Sequence, residues 1–428
     1  VSGKWRTYEP ENCGITKSKI NRQGRVATVR FGDQTTHAFA NGIQPTNANH
    51  GGGMSGNNLY VGCMTGTSVD GLDLALVEVD ENGDISILAA TTVPLPDRLR
   101  NDLLKLSQPG NDDIDLLGTC DAALGRFTAT AIATFVEDLG YKKQNIHAIG
   151  SHGQTIRHRP PGTSPTPFTL QIGDPNIIAE ITGITTIADF RRRDVASGGH
   201  GAPLVPRFHA ELFTANIADA CILNIGGISN LSLLDKHLTG FDTGPGNGLL
   251  DQWCQRHKGL PYDTSGAWSA AGKVDTALLD ALLADPFFAR QPPKSTGREY
   301  FNLNWLEKIA NNHGLPLTAA QDVQATLAQL TATTIVKSLK AWGGEVKAII
   351  VCGGGRLNDD LMRRLREAAR QLARKPDLVE PSEHWGVDGD AIEAAAFAWL
   401  AHRRLAGLPG NVPRVTGAKG ERVLGAIY

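Results

Sequence analysis

Val61-Gly62-Cys63-Met64-Thr65-Gly66-Thr67-Ser68-Val69-Asp70-Gly71-Leu72-Asp73 is the stretch on which the reading of the fold turns. A short apolar run enters a turn of small and hydroxyl residues and leaves as a second strand. Such a turn offers backbone N–H groups and hydroxyls to an anion, so a phosphate site is the first hypothesis. Taken alone it is equally an ordinary hairpin turn, because Gly, Asp, Ser and Thr dominate turns. Much later, Ala220-Cys-Ile-Leu-Asn-Ile-Gly-Gly-Ile-Ser-Asn-Leu-Ser-Leu-Leu234 repeats the design of strand, glycine turn and strand, and Val346–Val351 runs into Cys352-Gly353-Gly354-Gly355. Three glycine sites at strand ends exceed what turns alone require, and the repetition suggests two homologous halves around one nucleotide. No G-x-x-x-x-G-K-[ST] occurs: Gly272-Lys273 is followed by Val274, which argues against a P-loop enzyme.

Around these turns the periodicity alternates between strand and helix. Leu59–Cys63, Leu74–Val79 and Ile85–Val93 read as an antiparallel meander, its second connection being the turn Asp80-Glu-Asn-Gly-Asp84. Leu124, Phe127, Ala131, Phe135 and Leu139 recur at three and four, predicting a helix over 121–139 that Gly140 stops. Ile146–Gly150 and Thr185–Ala188 read as buried strands, separated by a polar, Pro-rich loop and a short helix at 177–181. In the second half, Leu238–Phe241 reads as a strand, and helices are predicted over 247–257, 322–342 and 389–405, the last apolar enough to be wedged between two lobes.

At 428 residues, two domains are the default. A formal net charge of −2 with 20% charged residues leaves no basic footprint for nucleic acid, and no run approaches the length of a membrane span. The six cysteines lack a C-x-x-C pair, which fits reduced thiols and a cytoplasmic protein. The aperiodic start, rich in Asn, Gly and Thr, reads as disordered or foreign to the native protein, whose natural beginning is placed near Met54.

Candidate site residues cluster at the strand ends. Ser151, His152, Gln154 and Thr155 are neutral hydrogen-bonding groups suited to a polyol; a metal held by His152 and His158 lacks an evident third ligand. Ala188-Asp-Phe-Arg-Arg-Arg-Asp194 follows an apolar strand and precedes Gly198-Gly-His-Gly201, so it is expected to line a cleft where a guanidinium meets a carboxylate or phosphate. Asp242, at a strand exit on a loop stiffened by Pro245, is a carboxylate on a rigid support, as a general base requires. Spacing alone does not choose among Asp189, Asp194 and Asp242. Glu393, on an apolar helix, needs either a partner or a polar cleft.

Gly66–Asp73, Ser151–His158, Ala188–Asp194, Leu223–Gly227, Phe241–Asn247, Pro293-Lys-Ser-Thr-Gly-Arg298 and Cys352–Gly355 together resemble the anhydro-N-acetylmuramic acid kinases of the actin, Hsp70 and sugar-kinase superfamily, over nearly everything from Leu59 to Tyr428. The resemblance implies an α/β fold of two actin-like (ribonuclease H-like) lobes, each with a mixed five-stranded sheet flanked by helices, and an ATP cleft between them. The implied division is an extension at 1–57, an N-terminal lobe at 58–217, a C-terminal lobe at 218–385, and a helix and tail at the lobe interface at 386–428. It implies a cytoplasmic enzyme of peptidoglycan recycling that uses ATP and Mg²⁺, has a small amino sugar as its other partner, and leaves a homodimer open. Asp242 is then the base. Ser151, His152, Gln154, Thr155, Asp189, Arg193 and Glu393 would line the sugar pocket, while Gly66, Thr67, Ser68, Val69, Asp70, Gly71, Leu72, Asp73, Gly226, Gly227, Gly353, Gly354 and Gly355 would hold the nucleotide. Val69 departs from the family pattern, which favours a longer Leu or Met, and so does the extension. The competing readings are another sugar kinase of the superfamily and an actin- or Hsp70-like ATPase that binds a protein partner.

Overall fold

The computed structural model describes residues 58–66, 69–108, 110, 112–213, 219–234, 238–298, 300–343, 346–372 and 376–428, with the backbone of 27–31 and 34–38. Within the N-terminal extension, β1 (Ala27–Phe31) and β2 (Gln34–Ala38) pair antiparallel. The rest of 1–57, including the proposed start near Met54, lies outside the described residues.

The expected meander is present as β3 (Leu59–Thr65), β4 (Gly71–Val79) and β5 (Ile85–Pro94). β6 (Ile146–Ser151) joins β3 in parallel, and β7 (Gln154–Arg159) pairs with β8 (Phe168–Ile172) as a separate hairpin. This hairpin stands where a Pro-rich loop was expected: its His, Arg and Gln side chains hide the apolar alternation of Ile156, Leu170 and Ile172. β9 (Thr186–Ala188) follows beside β6.

The second sheet takes β10 (Ala220–Ile225), β11 (Ile228–Leu233), β12 (Thr239–Pro245), β13 (Ala348–Cys352) and β14 (Leu378–Pro381), in the order β12-β11-β10-β13-β14. β15 (Ala426–Ile427) returns to the first sheet, which runs β15-β9-β6-β3-β4-β5. The five strands implied for each lobe thus hold for the second sheet. The first gains a sixth, too short for a periodic pattern, from the tail placed beforehand at the interface.

Helices cover both sheets. Ile114–Asp138 begins a full turn or more before the predicted helix because Asp113 caps it, accepting from Leu116 N–H. Ala320–Trp342 packs against Asp359–Ala369 under the second sheet. The closing helix, Ile392–Leu405, lies on β3, β4 and β6 and shares a core with Ile222 and Ile350 of the second sheet. Phe397 and Trp399 are buried in that core, each contributing about 1.5–3 kcal/mol of apolar burial.

Backbone contact sets the position of this helix. A Cβ on Gly62 would come 1.8 Å from Ala394 O, and one on Gly150 would come 2.0 Å from Phe397 O. Two backbones are the obstacle, so neither can yield as a side chain would. Gly62→Ala is expected to cost about 3 kcal/mol or more, read as a lower denaturant midpoint at unchanged slope; unaltered stability would show that the helix can lift at little cost.

His209, on the helix Pro206–Phe213, is 1% exposed and bonds through Nδ1 to Ser232 Oγ at 3.0 Å. Burial pulls its pKa down to about 3, so the folded state keeps it neutral while the unfolded chain takes up a proton below its ordinary 6.5. Its contribution is therefore present at neutral pH and lost as pH falls through 6.5 towards 3. Between pH 7 and 5 the wild type should lose about 2 kcal/mol relative to His209→Gln, measured as the difference between the two proteins' unfolding free energies at each pH.

Candidate functional site

The first glycine turn is fastened at both ends. Thr65 Oγ1 donates to Gly153 O at 3.1 Å, and Val69 N–H donates to Gly66 O at 3.1 Å. Val69 has φ 57°, a conformation unfavourable for a β-branched residue, and its side chain is buried with Leu95, Leu99 and Leu103. Its burial holds the turn in a strained shape, so the residue does more than fill space. Thr67 and Ser68 lie outside the described residues. Asp70 is exposed and paired with Arg100 at 2.9 Å. Asp73 accepts from Thr92 Oγ1 at 2.6 Å, and burial pushes its carboxyl up to about 7, helped by the charges of Glu393, Asp390 and Asp70. Gly71 and Leu72 are buried at the start of β4.

The second turn stacks on the start of the helix Asn247–Lys258: Asn247 N–H donates to Gly226 O at 2.8 Å and Gly248 N–H to Gly227 O at 3.1 Å. A Cβ on Gly226 would meet nothing closer than Ile228 O at 3.6 Å, and one on Gly354 only Asn247 Nδ2 at 3.7 Å. Both positions thus present bare backbone to open space. Gly353 has φ 75° and sits so close to Asn224 that a Cβ would come 2.2 Å from Oδ1; Gly355 packs equally tightly on Ile225. From this wall Asn224 Nδ2 donates to Glu393 Oε1 at 3.3 Å, joining the triple glycine to the closing helix. Burial raises the Glu393 carboxyl, opposed by the nearby Arg191 guanidinium.

His152 uses both ring nitrogens inside the protein. Nδ1 lies 2.7 Å from Gly153 O, and Nε2 accepts from Arg191 Nε at 2.8 Å, which assigns the proton to Nδ1. Burial, then Arg191, holds the ring neutral. His152 therefore anchors Arg191, and neither nitrogen is left for the metal considered with His158. Arg191 Nη1 also donates to Gly201 O at 2.7 Å. Of the three arginines, Arg191 is the one turned inward; Arg192 meets Asp189 at 3.4 Å, and Arg193 is exposed on the short helix Arg192–Ala196. A charge run of identical residues gave no sign of which would be buried.

A cavity of about 300 Å³ opens at the ends of β6 and β9, bounded by Ser151, Gln171, Asp174, Asp189, Arg192 and Tyr428. Thr155 Oγ1 accepts from Gln171 Nε2 at 3.1 Å, whereas Gln154 is 1% exposed, with Oε1 buried and unpartnered. Asp189 has φ 58°, and burial raises its carboxyl against the pull of Arg192.

The open choice of base narrows on geometry. Asp194 is wholly buried and accepts from Gly201 N–H, Asn411 Nδ2 and Thr416 Oγ1, so it fastens the glycine loop to the tail. Asp242 lies within β12, not at its exit as expected, because the strand continues to Pro245 with an irregular register opposite Ser229/Asn230. Its backbone N–H donates to Lys294 O at 3.1 Å, and its Oδ2 accepts from Thr296 N–H at 2.8 Å. The strap Pro293–Arg298 thus braces the carboxylate on both backbone and side chain. Lys294 Nζ is buried among rings, 4.6 Å from Trp342 and 4.9 Å from Phe287, and burial pulls its pKa down to about 8 against the attraction of Asp242.

The model of a protein family described as anhydro-N-acetylmuramic acid kinase matches residues 58–428. Curated relatives bearing that name include one from Pseudomonas fluorescens (strain Pf0-1), 50% identical over 372 residues, which span 86% of this chain and 99% of the relative. Another, from Xanthomonas axonopodis pv. citri (strain 306), is 51% identical over 376 residues, 86% of this chain and 98% of its own. A third, from Saccharophagus degradans, is 47% identical over 374 residues, 87% of this chain and 99% of its own. With the match spanning both sheets, both glycine turns and the closing helix, the chain belongs to the anhydro-N-acetylmuramic acid kinase family.

Proposed function

We infer that this protein is an ATP-dependent kinase that opens 1,6-anhydro-N-acetylmuramic acid with water and phosphorylates O6, giving N-acetylmuramic acid 6-phosphate and ADP in cell-wall recycling. The observation that carries the mechanism is the double bracing of Asp242 by the strap. A base so held loses no orientation at the moment of reaction. Asp242 takes one proton from water as the water oxygen bonds to the anomeric carbon. The C1–O6 bond breaks with its electron pair on O6, which attacks the γ-phosphorus as the bond to ADP breaks; the proton leaves Asp242 for solvent.

The sugar is read as lying between the ends of β6 and β9 and the closing helix, within reach of Ser151, Thr155, Asp189 and Glu393. His152 supports that wall through Arg191, while Arg192, which borders the cavity beside Asp189, is the better placed of the neighbouring arginines to meet a lactyl carboxylate. Gly226–Gly227 and Gly353–Gly355 are read as the nucleotide's bed, closed from the other lobe by Gly66–Asp73, because bare backbone at Gly226 and Gly354 leaves room for phosphates.

Mg²⁺ would be held by carboxylates near the glycine turns. Among the described residues no group of three or more His, Cys, Asp or Glu forms a metal cage. Magnesium, however, needs only one or two carboxylates beside the phosphates. Asp73 and Asp251, both pushed up to about 7 by burial, are carboxylates that a cation would stabilise in their charged form. Bound there, the ion would neutralise phosphate charge. A need for ATP favours the cytoplasm as the place of this reaction.

Asp242→Asn should retain nucleotide binding and lose turnover by about a thousandfold or more, followed by coupled ADP release with the anhydro sugar as acceptor. Near-normal rates would move the base to Asp189. Hexoses lacking the anhydro bridge should give no comparable ADP release, and brisk turnover of glucose would point to a different sugar kinase.

A further inference from the structure

Arg298 ends the strap that braces Asp242. Its guanidinium lies against the second glycine turn: a Cβ on Gly227 would come 2.6 Å from Nε and 2.9 Å from Nη2, and one on Gly248 would come 3.1 Å from Nε. The two glycines therefore clear the space the guanidinium occupies. Nε is buried and has no hydrogen-bond partner, a state that is costly for a buried donor. The carboxylates whose fields reach it are Asp251, one helical turn after Gly248, and Asp70 from the opposite lobe. Neither closes an ion pair with it among the described residues, and Asp70 is already paired with Arg100. Burial pulls the arginine's pKa down, yet a guanidinium stays charged throughout the working range. The result is a cation with an unused donor, packed on the second glycine turn, in a chain without a P-loop lysine. Lys294, the strap's other cation, is enclosed by aromatic rings and faces away from this duty.

We propose that Arg298 is a catalytic residue whose guanidinium grips the phosphoryl group in transit from the nucleotide to O6. This rests on the kinase reading above. As the bond from γ-phosphorus to ADP breaks and the bond to O6 forms, charge spreads over the three non-bridging oxygens, and the planar fork donates to two of them without transferring a proton. The fields of Asp251 and Asp70 favour the charged guanidinium at this position before the nucleotide arrives. The strap then joins both halves of the reaction, with Thr296 aligning the base that activates water and Arg298, two residues later in sequence, meeting the phosphoryl group.

The test compares wild type with Arg298→Gln and Arg298→Lys. Wild type must first form a sugar 6-phosphate from ATP and the anhydro sugar; failure there would overturn the kinase reading, not the role of the arginine. Arg298→Gln is expected to lower kcat about a thousandfold while ADP affinity changes less than about threefold. ADP with aluminium fluoride, which mimics the phosphoryl group in flight, should bind wild type more tightly than ADP alone when the sugar is present, and this tightening should vanish in Arg298→Gln. A kcat within about tenfold of wild type, or a parallel loss of affinity for ADP and for its fluoride complex, would leave Arg298 a structural cation and overturn the proposal. Should Arg298→Gln fail to fold by thermal melting, Arg298→Lys, which keeps the charge and stem but not the fork, is expected to lose the tightening as well; full tightening in that variant would overturn the proposal.

Discussion

The molecule depends on a backbone laid directly on a sheet. Gly62 and Gly150, on neighbouring strands β3 and β6, bear no side chains where the carbonyls of Ala394 and Phe397 pass. The closing helix consequently lies closer than packed side chains would allow, and its depth fixes Glu393 between Asn224 of one sheet and Arg191 beside the other. Arg191 in turn fixes the ring of His152, and Asp194 ties the same segment to the tail. A single close approach thus sets where one wall of the cavity at the ends of β6 and β9 stands relative to the glycine turns.

The second organising element is the strap. It has no helix or strand of its own, yet its backbone supplies two bonds that orient Asp242, its Ser295 hydroxyl meets His200 Nδ1 at 3.0 Å, and its Arg298 lies on the glycine turn. Stiffness here comes from attachment at several points. Asp285 adds to it from outside, accepting from Tyr300 and Trp305 just beyond the strap and so holding its far end.

Much of this was legible in residue patterns. The glycine turns, the meander and the apolar helix carrying Glu393 could be read because each depends on a local signal: glycine where backbone must be bare, alternation in strands, spacing of three and four in helices. Arg191 and Arg193 could not be told apart, because adjacent identical residues differ only in which way the chain turns after Asp189, whose positive φ no pattern reveals. Asp194 looked as catalytic as Asp242 until its three donors were seen, two of them more than two hundred residues away. The pair Ala426–Ile427 is too short to show any period, and its pairing is decided by what the rest of the chain leaves open on β9.

The order in which these parts leave the ribosome differs from the order in which they can settle. The first sheet takes β3 to β6 and β9, all made before the second sheet, but the helix Ile392–Leu405 that covers one of its faces and its sixth strand are made after the whole second sheet. Until then β3 and β6 carry an uncovered apolar face with glycines at its centre, and β9 has an open edge. During synthesis the face of the second sheet that packs on Ala320–Trp342 and Asp359–Ala369 can therefore be covered before the first sheet is finished, in contrast to the usual N-to-C sequence of domain folding. Nascent chains would spend that interval with an exposed strand edge, the kind of surface that holding chaperones shield and that neighbouring chains can mispair with.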